Sequence, residues 1–352
     1  MASSSPPSTT GTITIGTRRS ALARKQTSFV EAGLQKAWPD QKTAVHAMDP
    51  LGDRNKVTAL YAFNAKNLWT YELEELLGKG ELDLIVHSLK DMPTSLPEGM
   101  AIGAILPRED PRDVLILPAS NSSAPRSAHD ILSSLPEGSV IGTSSLRRIA
   151  QLRRRYPQLA FANMRGNVGT RLAKLDSPSA EAGAPEGGFA GLIMAAAGLL
   201  RLDLGNRISA YLSGAEGGMW HAVGQGAIGV EVREDDERVK KLLEPLRCSR
   251  TERACYAERA LMRALEGGCS VPIGVETDWE GEKLRLDAVV VALDGTEAVE
   301  AVEVAEVGSL EEAEELGRRV AAVLVEKGAG KILDVINEKR KEDMVAYAGS
   351  AP

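Results

Sequence analysis

Alternating polar and apolar residues from Thr12 to Ile15 predict a strand, and the spacing of ALARKQTSFVEAGLQKA predicts a helix after Gly16-Thr17-Arg18-Arg19-Ser20. Lys42–Met48 reads as a second strand, followed by the loop DPLGDRNK. Residues 57–68 are poorly periodic, whereas Thr70–Leu77 is helical with Glu72, Glu74 and Glu75 near its start. The clearest strand of this half is Leu82–Leu89, leading into Lys90-Asp91-Met92-Pro93, where Pro93 cannot continue a ladder. Met100–Leu106 and Asp113–Leu117 are further strands around the loop PREDPRD. Ser139-Val140-Ile141 is short and β-branched. Gly142 ends it, and Thr143, Ser144 and Ser145 are N-cap candidates for a helix from Leu146 towards Tyr156. Gly191–Ala197 and Ile228–Val232 read as buried strands, and Asn121–Ala128 and Ser177–Gly188 as surface loops.

Ile-Gly-Thr ends a strand twice, at Ile15–Thr17 and Ile141–Thr143, each time with arginines and a helix following. The pair predicts two α/β domains of similar build whose helix N-termini face a shared cleft, the usual place for a ligand. From about Thr251 the texture changes. Thr251–Leu265 is a helix with a Thr cap, ending at Gly267-Gly268 before Cys269. Leu284–Leu293 and Ala298–Val307 form a hairpin about Asp294-Gly295, and helices Leu310–Glu326 and Lys331–Lys339 follow. This is a small antiparallel α+β domain.

Composition changes the picture little until charge is mapped. The 352 residues are 43% hydrophobic and 26% charged, ordinary for a globular protein. Aromatics at 4% argue against stacking platforms for single-stranded nucleic acid. Cys248, Cys255 and Cys269 are an odd three, which makes a disulfide framework a poor reading. No apolar run reaches membrane-spanning length, and MASSSPPSTTG reads as a disordered tail, so a cytoplasmic protein is expected.

Against a net charge of -7, residues 146–174 carry Arg147, Arg148, Arg153, Arg154, Arg155, Arg165, Arg171 and Lys174 with no Asp or Glu. A cationic block in an acidic chain points to an anion site. Arg147 and Arg148 fall in a first helical turn, where the dipole disfavours cations, so an anion is expected to offset them. Arg153–Arg155 near the helix end read as a solvated face. Asp91, at the end of a buried strand, is equally a turn aspartate or an active carboxylate. The four histidines and three cysteines lack zinc-ligand spacing, no metal is expected, and His87 reads as a satisfied core histidine. Gly224-Gln225-Gly226-Ala227-Ile228-Gly229 matches G-x-G-x-x-G but precedes a strand and opens no helix, which excludes a dinucleotide site. Its glycines instead let the backbone approach a ligand or a neighbouring domain.

Six motifs in one order, HSLKDMP (87–93), REDPRD (108–113), GTSSLRR (142–148), RGNVGTRLAKLD (165–176), HAVGQGA (221–227) and EGGCSVPIG (266–274), resemble the porphobilinogen deaminase, or hydroxymethylbilane synthase, family in its fungal form. The likeness runs from about Ile13 to Asn337. It implies two periplasmic-binding-protein-like α/β domains with a central cleft and a small α+β C-terminal domain. The division is then a tail at 1–11, a first domain at 12–112 and 220–246, an arginine-rich second at 113–219, and a third at 247–352 bearing the attachment loop. The resemblance further implies that four porphobilinogen molecules are joined head to tail, with loss of ammonia. They grow on a dipyrromethane cofactor held by a thioether to Cys269. Asp91 would be the catalytic carboxylate. Lys90, Ser144, Ser145, Arg147, Arg148 and Arg171 would bind the cofactor, and Arg18, Ser20, Arg165 and Arg201 the substrate. Lys66 keeps its place in a lid segment that otherwise departs from the family, with Ala62 where Lys is common and Asn64 where Gly is. Porphobilinogen and its oligomers are the expected partners, without nucleic acid or membrane, and a monomer is expected. Two rivals remain open at this level. A solute-binding sensor explains the arginines but leaves Cys269 and Asp91 without work, and nucleic-acid binding is opposed by the acidity and few aromatics.

Overall fold

A computed structural model describes residues 11–50, 70–121, 126–177, 185, 187–265 and 271–338. The described chain forms two compact units, one from residues 11–50, 70–109 and 227–252, the other from 110–226 and 253 onward.

The first unit is built on a five-stranded sheet. Its strands are β1 (Thr12–Arg18), β2 (Lys42–Met48), β3 (Leu84–Ser88), β4 (Met100–Ile105) and, from far along the chain, β10 (Ile228–Arg233), in the order β2-β1-β3-β10-β4. β1 runs parallel to β2 and β3, and β10 is antiparallel to β3 and β4. Helix α1 (Ala21–Ala37) packs Val30 and Leu34 with Ile13, Ile15, Leu84 and Val86, while α2 (Tyr71–Gly78) sets Leu73 and Leu77 against Leu82 and Ile85. Helices on both faces explain why Leu84, Ile85 and Val86 run apolar without alternating and why β3 is buried as far as His87.

In the second unit, β5 (Asp113–Ile116), β6 (Val140–Gly142), β7 (Ala160–Ala162), β8 (Gly191–Ala195) and β9 (Ala210–Leu212) form a sheet of order β7-β6-β8-β5-β9. Three strands are again parallel, and again a strand from a distant stretch enters antiparallel in fourth place, here β5. The repeated Ile-Gly-Thr thus marks the same strand in two like-built sheets. Gly16 and Gly142 do the same work: a Cβ on either would run into the leucine opposite, Leu82 or Leu192.

The same unit holds a three-stranded antiparallel sheet, β11 (Ile273–Glu280), β12 (Lys283–Val291) and β13 (Ala298–Glu306). It shares a core with helices spanning Ser249–Ala264 and Leu310–Glu326 and with helical residues 329–338. Gly317 lets the second of these helices lie against the Ala257 carbonyl of the first, where any side chain would overlap backbone.

Several boundaries differ from the pattern. The strand beginning at Thr12 continues through Gly16–Arg18 because β2 pairs with it as far as Arg18 opposite Met48. Ala196 and Ala197 open a helix, Ala196–Leu200, in keeping with alanine's propensity. The helix expected from a Thr251 cap starts at Ser249, and Thr251 Oγ1 instead accepts the Arg108 backbone N–H at 3.2 Å. β11 is a strand not expected above, although Ile273, Val275, Thr277 and Trp279 alternate with Gly274, Glu276, Asp278 and Glu280; it pairs along its length with β12.

Candidate active site

In the second unit, after helix α3 (Ala128–Ser134), β6 ends at Gly142 and the helix α4 (Leu146–Arg155) begins after Ser145. Ser145 is the N-cap, its Oγ accepting the Arg148 backbone N–H. Ser144 Oγ is engaged with Asn163 Oδ1 and donates to the Met164 carbonyl at 2.8 Å. Arg147 and Arg148 are nearly buried, 6% and 7% exposed, although Leu146 beside them is less so.

The anion those arginines require is in part the chain's own. Asp113, at the start of β5 and wholly buried, accepts from Arg148 Nε (3.2 Å) and Nη2 (2.7 Å) through Oδ1. Its Oδ2 lies 2.8 Å from Arg147 Nη2, an ion pair rather than an aligned hydrogen bond. Gln225 Nε2 donates to the same Oδ1 at 2.9 Å and to the Pro111 carbonyl at 2.7 Å. Arg148 Nη1 donates to the Ile193 carbonyl and Arg147 Nη1 to that of Trp220. Burial pushes the Asp113 carboxyl up, but the two guanidinium charges and the hydrogen bonds from Arg148 and Gln225 outweigh it and hold it well below the usual carboxylate range. Burial in turn lowers Arg147. One carboxylate against two guanidiniums leaves a positive charge in surplus.

Further cations lie in this unit. In the helix Val168–Asp176, Arg171 Nε donates to the Gly166 carbonyl (2.8 Å) and Lys174 Nζ to that of Arg165 (3.4 Å), folding the loop at 165–166 onto the helix. Arg201, 7% exposed, donates to Gly226 O at 2.6 Å. The Gly224–Gly226 turn, with both glycines at positive φ, therefore ties Arg201 at one residue and Asp113 at the next; Gly224 N–H goes to Glu258 Oε2 at 2.8 Å. Asp113, Gln225 and Glu258 had no place in the sequence reading, although the first two lie inside quoted motifs. Arg153 and Arg154 are exposed as expected, yet they reach the β12–β13 hairpin through the Leu293 carbonyl and Glu300.

In the first unit, β3 gives way to a single 3-10 turn, Leu89–Asp91, that turns Lys90 and Asp91 outward while Leu89 and Met92 stay buried. Asp91 Oδ2 lies 3.8 Å from Arg18 Nη1 at the end of β1, the two side chains 36% and 25% exposed. Ser20 caps α1, its Oγ accepting the Ala23 N–H at 3.3 Å. His87 is the satisfied core histidine expected, 3.0 Å from Glu231 Oε2 across β3 and β10. Cys255 is a fully buried thiol. Lys66 and Cys269 lie outside the described residues.

Comparison with known proteins decides between the open readings. Residues 13–241 match the family described as "Porphobilinogen deaminase, dipyromethane cofactor binding domain", and residues 252–326 match "Porphobilinogen deaminase, C-terminal domain". The chain belongs to the porphobilinogen deaminase family. Relatives bearing that name include those of Yarrowia lipolytica, 52% identical over 92% of this chain and 93% of its own length, and Neurospora crassa, 49% identical over 94% and 95%. That of Parasynechococcus marenigrum is 45% identical over 93% and 98%. Porphobilinogen deaminases are enzymes, and the 13–241 segment is a dipyrromethane cofactor binding domain. The donors present suit such a group. Its carboxylate arms call for guanidiniums, and the Arg147–Arg148–Asp113 cluster holds one positive charge more than its own anion offsets. Among the described residues no helix is long and apolar enough to cross a membrane.

Proposed function

We propose that this chain is a hydroxymethylbilane synthase, a transferase that joins four porphobilinogen molecules head to tail and releases ammonia at each addition. The observation that carries this reading is the placement of Asp91: a half-exposed carboxylate on a turn at the end of a buried strand, with a guanidinium beside it. At each addition the aminomethyl C–N bond breaks and ammonia leaves. A C–C bond then forms to the free α-carbon of the preceding ring, and that carbon gives up its proton. Dipyrromethane, held through a thioether to Cys269, supplies the ring at which the first addition occurs.

Loss of the amine leaves the substrate pyrrole cationic, and the ring that attacks becomes cationic in turn. A fixed carboxylate at the pyrrole N–H groups lowers both, and Asp91 can pass a proton to the departing amine and take one from the new bond. Arg18, 3.8 Å away at the end of β1, faces that carboxylate. Arg18, Ser20, Arg165 and Arg201 receive the carboxylates of the incoming substrate. Arg147, Arg148 and Arg171, with Lys90, Ser144 and Ser145, hold those of the cofactor. Porphobilinogen and its oligomers are the partners, in the cytoplasm, and the chain acts as a monomer.

Intact mass spectrometry tests the reading directly. Freshly made protein should carry two pyrrole units that vanish in Cys269→Ser, and feeding porphobilinogen should release ammonia and hydroxymethylbilane. A bare thiol that stays bare after feeding would leave only the solute-binding reading.

A further inference from the structure

Asp113 takes no part in the chemistry above, yet it is wholly buried with Arg147, Arg148 and Gln225 all directed at it. The elements packed around it contribute those two cations and that amide. Without it, two buried guanidiniums at the start of one helix would face each other and the positive end of the helix dipole with no anion between them. A guanidinium carries five N–H donors, and the bonds to Asp113, Ile193 and Trp220 do not exhaust either arginine.

We propose that Asp113, braced by Gln225, is a positioning residue: the resident counter-ion that keeps Arg147 and Arg148 assembled until the carboxylates of dipyrromethane arrive. This rests on the reading that the two arginines bind that cofactor. It separates Asp113 from an ordinary core ion pair by a definite property. Its contribution to stability overlaps with that of the ligand, because both supply negative charge to the same guanidiniums. The protein before loading depends on Asp113 more than the loaded protein does, and the preformed pair spares the ligand the cost of gathering the arginines.

Four proteins test this: the wild type and Asp113→Asn, each with Cys269 intact or replaced in Cys269→Ser. Pyrrole content is read by intact mass and Tm by calorimetry, after incubation with porphobilinogen. The expected result is a fall in Tm from Asp113→Asn about twice as large in the Cys269→Ser background as in the loaded protein, a coupling that distant sites do not show. A folded Asp113→Asn chain that acquires no dipyrromethane would equally support the proposal. Equal falls in both backgrounds would overturn it, leaving Asp113 a plain core pair. A wild type with no adduct would instead bring down the cofactor reading and this proposal together, so the two failures are distinguishable. Should Asp113→Asn not fold, Gln225→Ala keeps the charge and removes one brace; a larger Tm loss in the Cys269→Ser background is again expected, and equal losses again refute it.

Discussion

At the scale of single residues, Asp91 and Asp113 show what environment does to one side-chain type. Asp91 is half exposed on a turn, with one guanidinium at 3.8 Å. Replacing it with Asn keeps the shape and removes the charge, so turnover should fall by about 10²–10³, the cost of losing a preorganised electrostatic group. Folding and dipyrromethane content should be preserved; steady-state rates on protein of matched pyrrole content check this, and a variant keeping most of its turnover would refute it. Asp113 is buried between two arginines, and its carboxyl is held below the usual range. In the unfolded chain it titrates near about 4. Its stabilisation is therefore present above that pH and is lost as pH falls towards the folded value. Asp113→Asn should trail the wild type by a constant amount above about pH 4, with the gap closing below it. Urea midpoints from pH 7 down to pH 3 read this, and a gap unchanged at the lowest pH would contradict it. The place of Asp91 at the end of a buried strand before Pro93 was legible, and so was the misfit of Arg147 and Arg148 with the helix dipole. The partner of those arginines was not legible, because Asp113 lies more than thirty residues away and meets them only through sheet pairing.

At the scale of elements, glycine does more than end strands. Gly16 and Gly142 each sit beside the third strand of their sheet, where a methyl group would meet Leu82 or Leu192. Gly142→Ala should destabilise the second unit by about 1–3 kcal/mol through overpacking, and Gly16→Ala the first by a similar amount. Thermal or urea denaturation measures both, and a neutral Gly142→Ala would mean that Leu192 has room to move. Helix α4 was readable from its Ser145 cap and its apolar spacing, since both are local. β11 carries a local signal of the same kind, with Ile273, Val275, Thr277 and Trp279 on one face and Glu276, Asp278 and Glu280 on the other.

At the scale of the molecule, an acidic chain of net charge -7 gathers eight cations between residues 147 and 174, inside the segment that matches the dipyrromethane cofactor binding domain. Arg18 and Arg165, proposed to receive the substrate, are partly exposed and open to screening, whereas the Arg147–Arg148–Asp113 cluster is not. Raising salt should therefore raise KM for porphobilinogen severalfold while moving the urea midpoint little. Kinetics and denaturation at two ionic strengths compare them; a KM indifferent to salt would remove Arg18 and Arg165 from substrate capture. The sequence by itself determined the two like-built sheets, the appended α+β region, the cationic stretch and the family, since strand alternation, helix spacing, caps and ordered motifs are written in neighbouring residues. Only the tertiary structure decided that β5 and β10 enter their sheets antiparallel from afar, and with β5 that Asp113 lies between Arg147 and Arg148. Which charges meet depends on how distant strands pair, and local spacing carries no record of that.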